Sequence, residues 1–220
     1  SLYIDGPNQS IKKIAAFGLR AHLSNVITFL NYRVDLYLVT YFLTPSETGK
    51  YALSIMLAER FWLISSAASM IVFPESSANK NNVEHLEMMV RRIASLVLKL
   101  TAFGAAIAGL LSPYCIPWIF GAPYSGSVTP FLILLPGVVL WSYMSVISNS
   151  LAGLGHVNIN FLSALLSLSV NIVGNVFAIP RFGINGAAFI SSIAYVVAAM
   201  FTIFMYRRIV NGRSPAMRVA

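Results

Sequence analysis

The sequence has few charged residues and a single cysteine. Charged residues make up 10% and apolar residues 57% of the 220 residues, whereas roughly a quarter of an ordinary soluble domain is charged. The mean hydropathy is +0.75. The single cysteine, Cys115, excludes a disulfide within the chain. The shortage of charge excludes an ordinary soluble fold and indicates a membrane protein.

The sequence also lacks the patterns of common catalytic and metal sites. It has no paired His–Glu spacing for zinc, no acidic motif for a diphosphate-bound metal and no glycine-rich phosphate loop. Its histidines, His22, His85 and His156, are scattered and have no carboxylate or cysteine at ligand spacing. We therefore predict a protein that is not an enzyme and that uses no cofactor or metal.

The apolar residues are grouped into stretches long enough to cross a bilayer as helices, which takes about 20 residues each. The first stretch is the most polar, and the last three contain no charged side chain. This pattern predicts an all-α fold, a polytopic membrane bundle with a cytoplasmic linker at 1–13 and a basic cytoplasmic tail at 207–220. The six predicted spans are 14–43, 51–73, 93–111, 128–151, 159–179 and 184–206.

Prolines and polar residues mark the predicted connections. Because proline stops a helix, Pro113, Pro117 and Pro123 are expected to break up the segment 113–127. The polar segment 74–92 is expected to contain a short amphipathic helix lying on the membrane surface. A turn at 180–183 is expected between the last two spans.

Lysine and arginine are distributed unevenly between the two sets of predicted loops. One set contains nine of them and the other contains only Lys50 and Arg181. Basic loop residues stay on the cytoplasmic side, which predicts that both termini are cytoplasmic. No basic surface with stacking aromatics lies outside the predicted membrane region, so nucleic acid is not an expected partner. The nine are Lys12, Lys13, Lys80, Arg91, Arg92, Arg207, Arg208, Arg213 and Arg218.

Four charged residues, Arg33, Asp35, Glu59 and Arg60, lie inside the first two predicted spans. If these spans form a hairpin, residue 33 is level with residue 59 near the bilayer centre, and Asp35 and Arg60 form a second acid–base pair. Such charges normally face a partner or a hydrated pathway. An ion-pair clasp between helices and a site that faces substrate or ion are both compatible with this pattern. Arginine is suited to phosphate because its planar fork binds two oxygens.

The fifth predicted span carries polar residues at four-residue spacing, which places them on one helix face. The face avoids lipid, either because its side chains form hydrogen bonds between helices or because they line a cavity. These residues are Ser163, Ser167, Asn171 and Asn175.

Two further features have simpler explanations. Lys99 lies about two turns inside the third predicted span, where it either extends to the interface or lines the inner mouth of a cavity and meets an anionic headgroup. Gly183, Ala187 and Ser191 form a ridge of small residues, which we interpret as helix packing only.

Short segments along nearly the whole chain resemble those of polysaccharide (O-antigen type) flippases. That family belongs to the superfamily that includes the multidrug and toxin extruders and the peptidoglycan lipid flippase. The matching segments are 34–35, 49–52, Pro74, 120–124, 153–156, Asn171 with Asn175, 179–180 and 183–188.

The resemblance implies one six-helix lobe of a two-lobed, twelve-helix transporter. The chain would be the C-terminal lobe, with a missing N-terminal lobe as its partner. The transporter would move undecaprenyl-diphosphate-linked oligosaccharide across the bacterial inner membrane by alternating access, with H⁺ or Na⁺ as a possible coupling ion. The substrate or cavity candidates are Arg33, Arg60, Lys99, Asn171 and Asn175, and the ion-pair or coupling candidates are Asp35 and Glu59.

Two other functions remain open at this point. A cation antiporter of the extruder type would need an uncompensated acid facing its cavity, and Asp35 or Glu59 is the available residue. A membrane assembly subunit that transports nothing is compatible with the three charge-free spans.

Overall fold

The computed structural model describes residues 7–79 and 82–213, and every regular element within these ranges is a helix. The predicted all-α fold is therefore confirmed. Parts of the predicted linker (1–6) and tail (214–220), together with Lys80, lie outside the described residues. The elements are α1 (Pro7–Phe42), α2 (Pro45–Glu59), α3 (Trp62–Ala78), α4 (Val83–Phe120), a 3₁₀ helix (Ala122–Ser127), α5 (Val128–Gly153) and α6 (Val157–Arg213).

The first two predicted spans form a helical hairpin. Thr44 begins α2, where its hydroxyl accepts a hydrogen bond from the Glu47 amide at 3.3 Å. Helices α2 and α3 continue one another through a single tightened turn, in which the Arg60 amide donates to the Leu57 carbonyl at 3.3 Å. Bonds three residues apart are those of a 3₁₀ turn, which often marks a functional position inside a helix.

The prediction that proline breaks the segment 113–127 is wrong for its first two prolines. Pro113 and Pro117 lie inside α4, which ends only at Phe120 and is followed by Gly121, where φ is 95°. Pro113 has no N–H to give to the Gly109 carbonyl, but the Ser112 hydroxyl donates to that carbonyl at 2.8 Å instead. Membrane helices tolerate proline when a nearby side chain satisfies the freed backbone group in this way.

The surface helix expected within 74–92 is not a separate element, because α4 runs without interruption from Val83. The N-terminal turns of α4 therefore continue the third predicted span. Leu86 and Val90 pack into the core there instead of lying flat on a membrane surface.

Helix α6 folds back on itself at Gly183, where φ is 59° and ψ is −144°. Glycine adopts this conformation without the steric cost that a Cβ would bring. The arms 157–182 and 184–213 run antiparallel, because the Ser163 hydroxyl donates to the Ala198 carbonyl at 3.2 Å and the Ser167 hydroxyl donates to the Ala194 carbonyl at 3.2 Å. These two arms contain the fifth and sixth predicted spans.

Within the described residues, four helical segments are long and apolar enough to cross a membrane. Helix α1 is not among them, and the last segment contains both arms of α6, so the number of six crossings stays a prediction. Large apolar side chains such as Trp118 (85% exposed) lie on the outside, which suits a lipid-facing surface. The chain is a multi-pass membrane protein. The four segments are Pro45–Ala78, Glu84–Phe120, Ala122–Gly153 and Val157–Val210.

The buried apolar side chains form two separate clusters, one toward each end of the bundle. The first cluster includes Tyr51, Met144 and Ala199, and the second includes Val146 and Tyr206. On α5 the two clusters meet at Ser145, which lies between Met144 and Val146. The polar residues described next lie at the level of the first cluster and at its boundary with the second.

Candidate functional site

A cleft of about 460 Å³ opens between α1 and the α2–α3 span, and we call it the charged cleft. Arg33, Glu59 and Arg60 line it together with Trp62 and Ser66. Apolar side chains from α1, α2 and α3 form the remaining wall. Three of the four charged residues that the sequence singles out therefore meet at one cleft.

Arg33 and Glu59 lie level with one another, as the hairpin geometry predicts. Their Nη2 and Oε2 atoms are 3.6 Å apart, and their side chains are 39% and 22% exposed. Partly exposed pairs of this kind contribute about 0–1 kcal/mol. The other Glu59 oxygen, Oε1, and the Trp62 indole nitrogen are buried without a hydrogen-bond partner among the described residues. Because both atoms are buried, a ligand in the cleft would reach them only after these side chains move.

The expected ion pair between Asp35 and Arg60 is not formed. Asp35 lies two residues from Arg33 on α1, and residues at this spacing do not share a helix face. Arg33 therefore lines the charged cleft, whereas Asp35 points into the bundle. Arg60 is exposed. Within residues 7–79 and 82–213, no ion pair or hydrogen bond includes the Arg60 side chain, although the Glu59 carboxylate is close enough for electrostatic attraction.

Asp35 is only 2% exposed and joins three helices. Its Oδ2 accepts hydrogen bonds from the hydroxyls of Tyr51 in α2 and Ser191 in α6, both at 2.8 Å. Its Oδ1 accepts from the Leu36 amide at 2.8 Å. A buried carboxylate is tolerated only when its oxygens are satisfied, and these donors do so. The arrangement concentrates carboxyl and hydroxyl oxygens where α1, α2 and α6 meet.

Four aromatic rings pack together beside this site. The Tyr32 and Trp62 ring centroids are 4.5 Å apart, and those of Trp141 and Tyr195 are 5.1 Å apart. Trp62 also contacts Trp141 at 6.3 Å, so the four rings form one cluster. Stacked and edge-on pairs of this kind stabilise a packed wall beyond the area that they bury.

The aromatic cluster separates the charged cleft from a second one of about 240 Å³, which we call the neutral cleft. Tyr32 and Trp141 line the neutral cleft, whereas Trp62 lines the charged cleft. The neutral cleft contains amide and hydroxyl side chains but no charged one. These polar residues are Asn25, Thr28, Ser145, Ser148, Asn149, Asn160 and Ser163.

The other candidates from the sequence lie elsewhere. Asn171 and Asn175 are fully buried; the Asn175 amide donates to the Asn171 side chain at 2.6 Å, and the Asn171 amide approaches the Asn31 carbonyl at 3.5 Å. Lys99 is exposed on α4. None of these three residues lines the charged or the neutral cleft, and their roles in substrate binding stay predictions.

The sequence did not identify the partners of Asp35 or the aromatic cluster. Ser191 belongs to the ridge of small residues that we interpreted as packing only, and that interpretation is incomplete because its hydroxyl binds Asp35. Tyr51 lies in the segment 49–52, which resembles the flippases, and this was its only signal. In the part of the chain that the structure describes, no three His, Cys, Asp or Glu residues are placed to hold a metal ion.

Comparison with known proteins identifies the family. Residues 3–129, more than half of the chain, match the model of a family described as polysaccharide biosynthesis protein. The chain is 26% identical over 168 residues to the probable low-salt glycan biosynthesis flippase Agl15 of Haloferax volcanii, covering 74% of this chain and 35% of that protein. It is also 26% identical to an uncharacterized membrane protein of Methanocaldococcus jannaschii, covering 73% of this chain and 38% of that protein.

Solved structures show the same fold. The lipid II flippase MurJ in an inward closed conformation superposes with a TM-score of 0.75 at 18% identity, covering 84% of this chain and 41% of that one. An outward-facing multidrug resistance MATE transporter of the MOP superfamily gives a TM-score of 0.72 at 18% identity, covering 87% and 44%. The chain spans well under half the length of these relatives. It belongs to the polysaccharide biosynthesis protein family, and its fold is that of these two transporters.

Proposed function

We propose that the chain is the C-terminal lobe of a transporter that flips undecaprenyl-diphosphate-linked oligosaccharide by alternating access. The observation that carries this proposal is the charged cleft, in which two arginines lie among otherwise apolar spans. The flippase name of the Haloferax volcanii relative supports the same class of substrate. A missing N-terminal lobe would complete the substrate cavity, since the chain covers 41% of the lipid II flippase.

The diphosphate is the part of the substrate that the charged cleft fits best. Arg33 and Arg60 present guanidinium groups that stay charged and can bind phosphate oxygens in pairs. The Arg33–Glu59 contact is long, at 3.6 Å, so an incoming phosphate can replace Glu59 at little cost.

The neutral cleft fits the sugars. A sugar ring offers hydroxyl groups to amide and hydroxyl side chains and an apolar face to aromatic rings. Asn149 and Asn160 supply amides, and Tyr32 and Trp141 supply rings. A substrate whose diphosphate lies in the charged cleft would reach the neutral cleft with its first sugars only when the aromatic cluster between them opens.

We also propose that Asp35 is the coupling residue. A carboxylate with two hydroxyl groups at 2.8 Å can bind either H⁺ or Na⁺, and no basic side chain forms an ion pair with it among the described residues. The same feature would serve a cation antiporter of the extruder type. The arginines in the charged cleft favour an anionic substrate over that alternative.

The uneven distribution of basic residues favours a plasma-membrane orientation with both termini in the cytoplasm. In this orientation the neutral cleft lies in the cytoplasmic half of the bundle. Sugars would therefore enter it from the side on which lipid-linked oligosaccharides are assembled. Transport to the outer leaflet would follow when the two lobes rock.

Replacing Arg33 tests the proposed function in the full-length protein. Arg33→Ala is expected to lower polysaccharide export about 10- to 100-fold, because hydrogen bonds to charged groups contribute about 1.5–3 kcal/mol. Arg33→Lys is expected to lower it less, since the charge remains. Export is measured as surface polysaccharide per amount of transporter in the membrane.

Equal and complete loss in both variants, at normal membrane levels, would instead indicate that Arg33 only clasps Glu59. A second pair of variants separates these cases. Glu59→Gln restores export to an Arg33→Gln protein only if the defect is an unpaired Glu59 carboxylate. Under the proposed function, the double variant stays as defective as Arg33→Gln alone.

A further inference from the structure

Arg60 borders a second, very different cleft on the other side of the α2–α3 span. This apolar groove, of about 320 Å³, lies between that span and the C-terminal half of α4. Leu57 and Phe61 line one side, and Ala108 and Ile116 line the other. Arg60 is the only charged residue that lines it.

The apolar groove offers nothing to a polar ligand apart from Arg60. The Ser112 hydroxyl in its wall already donates to the Gly109 carbonyl at 2.8 Å, where it replaces the N–H that Pro113 lacks. The remaining wall is formed by aliphatic and aromatic side chains and Cys115. The groove therefore fits a hydrocarbon chain.

Arg60 lines both the charged cleft and the apolar groove. Its side chain has no ion pair in the described ranges, and it extends from the 3₁₀ turn that joins α2 to α3. A molecule that occupies both sites must carry an anionic group next to an apolar chain. A polyprenyl diphosphate has this chemistry, with the chain attached directly to the phosphate.

We propose that the apolar groove receives the first isoprene units of the lipid carrier while its diphosphate lies against Arg60 and Arg33. This proposal rests on the proposed function. The groove is at the small end of ligand pockets, which are about 300–1,000 Å³, so it holds only the start of the chain. Because hydrocarbon gains little on moving from lipid to protein, the groove fixes the direction of the chain and Arg60 supplies the affinity.

The test uses the intact protein in nanodiscs with farnesyl diphosphate that carries a diazirine on its terminal isoprene unit. After illumination, the adducts are mapped by mass spectrometry. Adducts are expected on the α4 residues of the groove, between Ala108 and Ile119. Arg60→Ala is expected to reduce them about ten-fold or more, the effect of losing a charge-assisted contact. Unlabelled farnesyl diphosphate should compete, whereas farnesol should not.

Two matched variants test whether the probe binds in the groove or on the general lipid-facing surface of the protein. Ala108→Trp fills the groove and is expected to abolish these adducts. Leu110→Trp adds the same side chain to the same helix at a position that is 76% exposed and outside the groove, and it should leave the adducts unchanged. Equal effects of the two variants, or adducts that fall mainly on Leu110 and its lipid-facing neighbours, would overturn the proposal.

The lipid composition of the nanodisc distinguishes the carrier from bulk phospholipid. If an anionic phospholipid occupies the groove, nanodiscs of phosphatidylglycerol will suppress the adducts relative to phosphatidylcholine, and the proposal fails. Unchanged adducts support it. If Arg33→Ala loses export but no adducts form in the groove, the proposed isoprene site is wrong and the proposed function stands. Retained export in Arg33→Ala would refute the proposed function.

Discussion

Asp35→Leu is expected to unfold much of the protein, whereas Asp35→Asn is expected to leave it folded but uncoupled. Leucine leaves the Tyr51 and Ser191 hydroxyls buried without their acceptor, and each lost partner costs about 1–3 kcal/mol. Asparagine keeps an acceptor oxygen in place but removes the negative charge. Thermal unfolding in detergent measures the first effect, and transport with an imposed H⁺ or Na⁺ gradient measures the second.

A pair of neighbouring serines provides the control for this prediction. Ser191→Ala removes one donor to Asp35 and should shift the concentration of H⁺ or Na⁺ that half-activates transport. Ser192→Ala should not, because the Ser192 hydroxyl donates to the Ile133 carbonyl at 2.6 Å and not to Asp35. If Asp35→Asn still transports with full dependence on either gradient, Asp35 is not the coupling residue.

Gly137→Ala is expected to push α5 away from α6 at this position and to lower the stability of the protein. A Cβ at this position would lie 2.7 Å from the Cα of Ser192, so the neighbouring backbone itself would have to move. Overpacking of this kind typically costs about 1–3 kcal/mol. For a protein of this size, each kcal/mol corresponds to about 2–4 °C in the unfolding midpoint. The apparent midpoint of the purified protein is the measurement.

Gly49 is the matched control, since it is also helical but has no atom within 4 Å of an added Cβ. Gly49→Ala is expected to leave the midpoint unchanged or to raise it, because alanine is the better helix former by roughly 1 kcal/mol. A similar drop in both variants would show that close packing at Gly137 is not the cause.

Much of the charged cleft could be predicted from the sequence because its contacts are set by a local hairpin. Counting along two helices that fold about Ser46 was sufficient to bring Arg33 level with Glu59. The surroundings of Asp35 could not be predicted in this way. Its partners Tyr51 and Ser191 are 16 and 156 residues away along the chain, and only tertiary packing brings them together.

The errors along α4 have a different physical origin. The prediction assumed that proline ends a helix, because proline removes one backbone hydrogen bond and leaves a carbonyl without its donor. In α4 the Ser112 hydroxyl replaces the missing donor, and the helix continues through Pro113 to Phe120.

The division of the apolar interior into two clusters has a mechanical consequence for the alternating access that we propose. Each cluster can stay intact while the hydroxyl groups of Ser145 and Thr202, which lie between the two clusters along α5 and α6, change their hydrogen bonds. Such groups can exchange one hydrogen-bond partner for another, whereas a single continuous core would have to shear as a whole. In the proposed cycle, one end of the lobe would therefore tilt by rearranging contacts between the two clusters and not within either one.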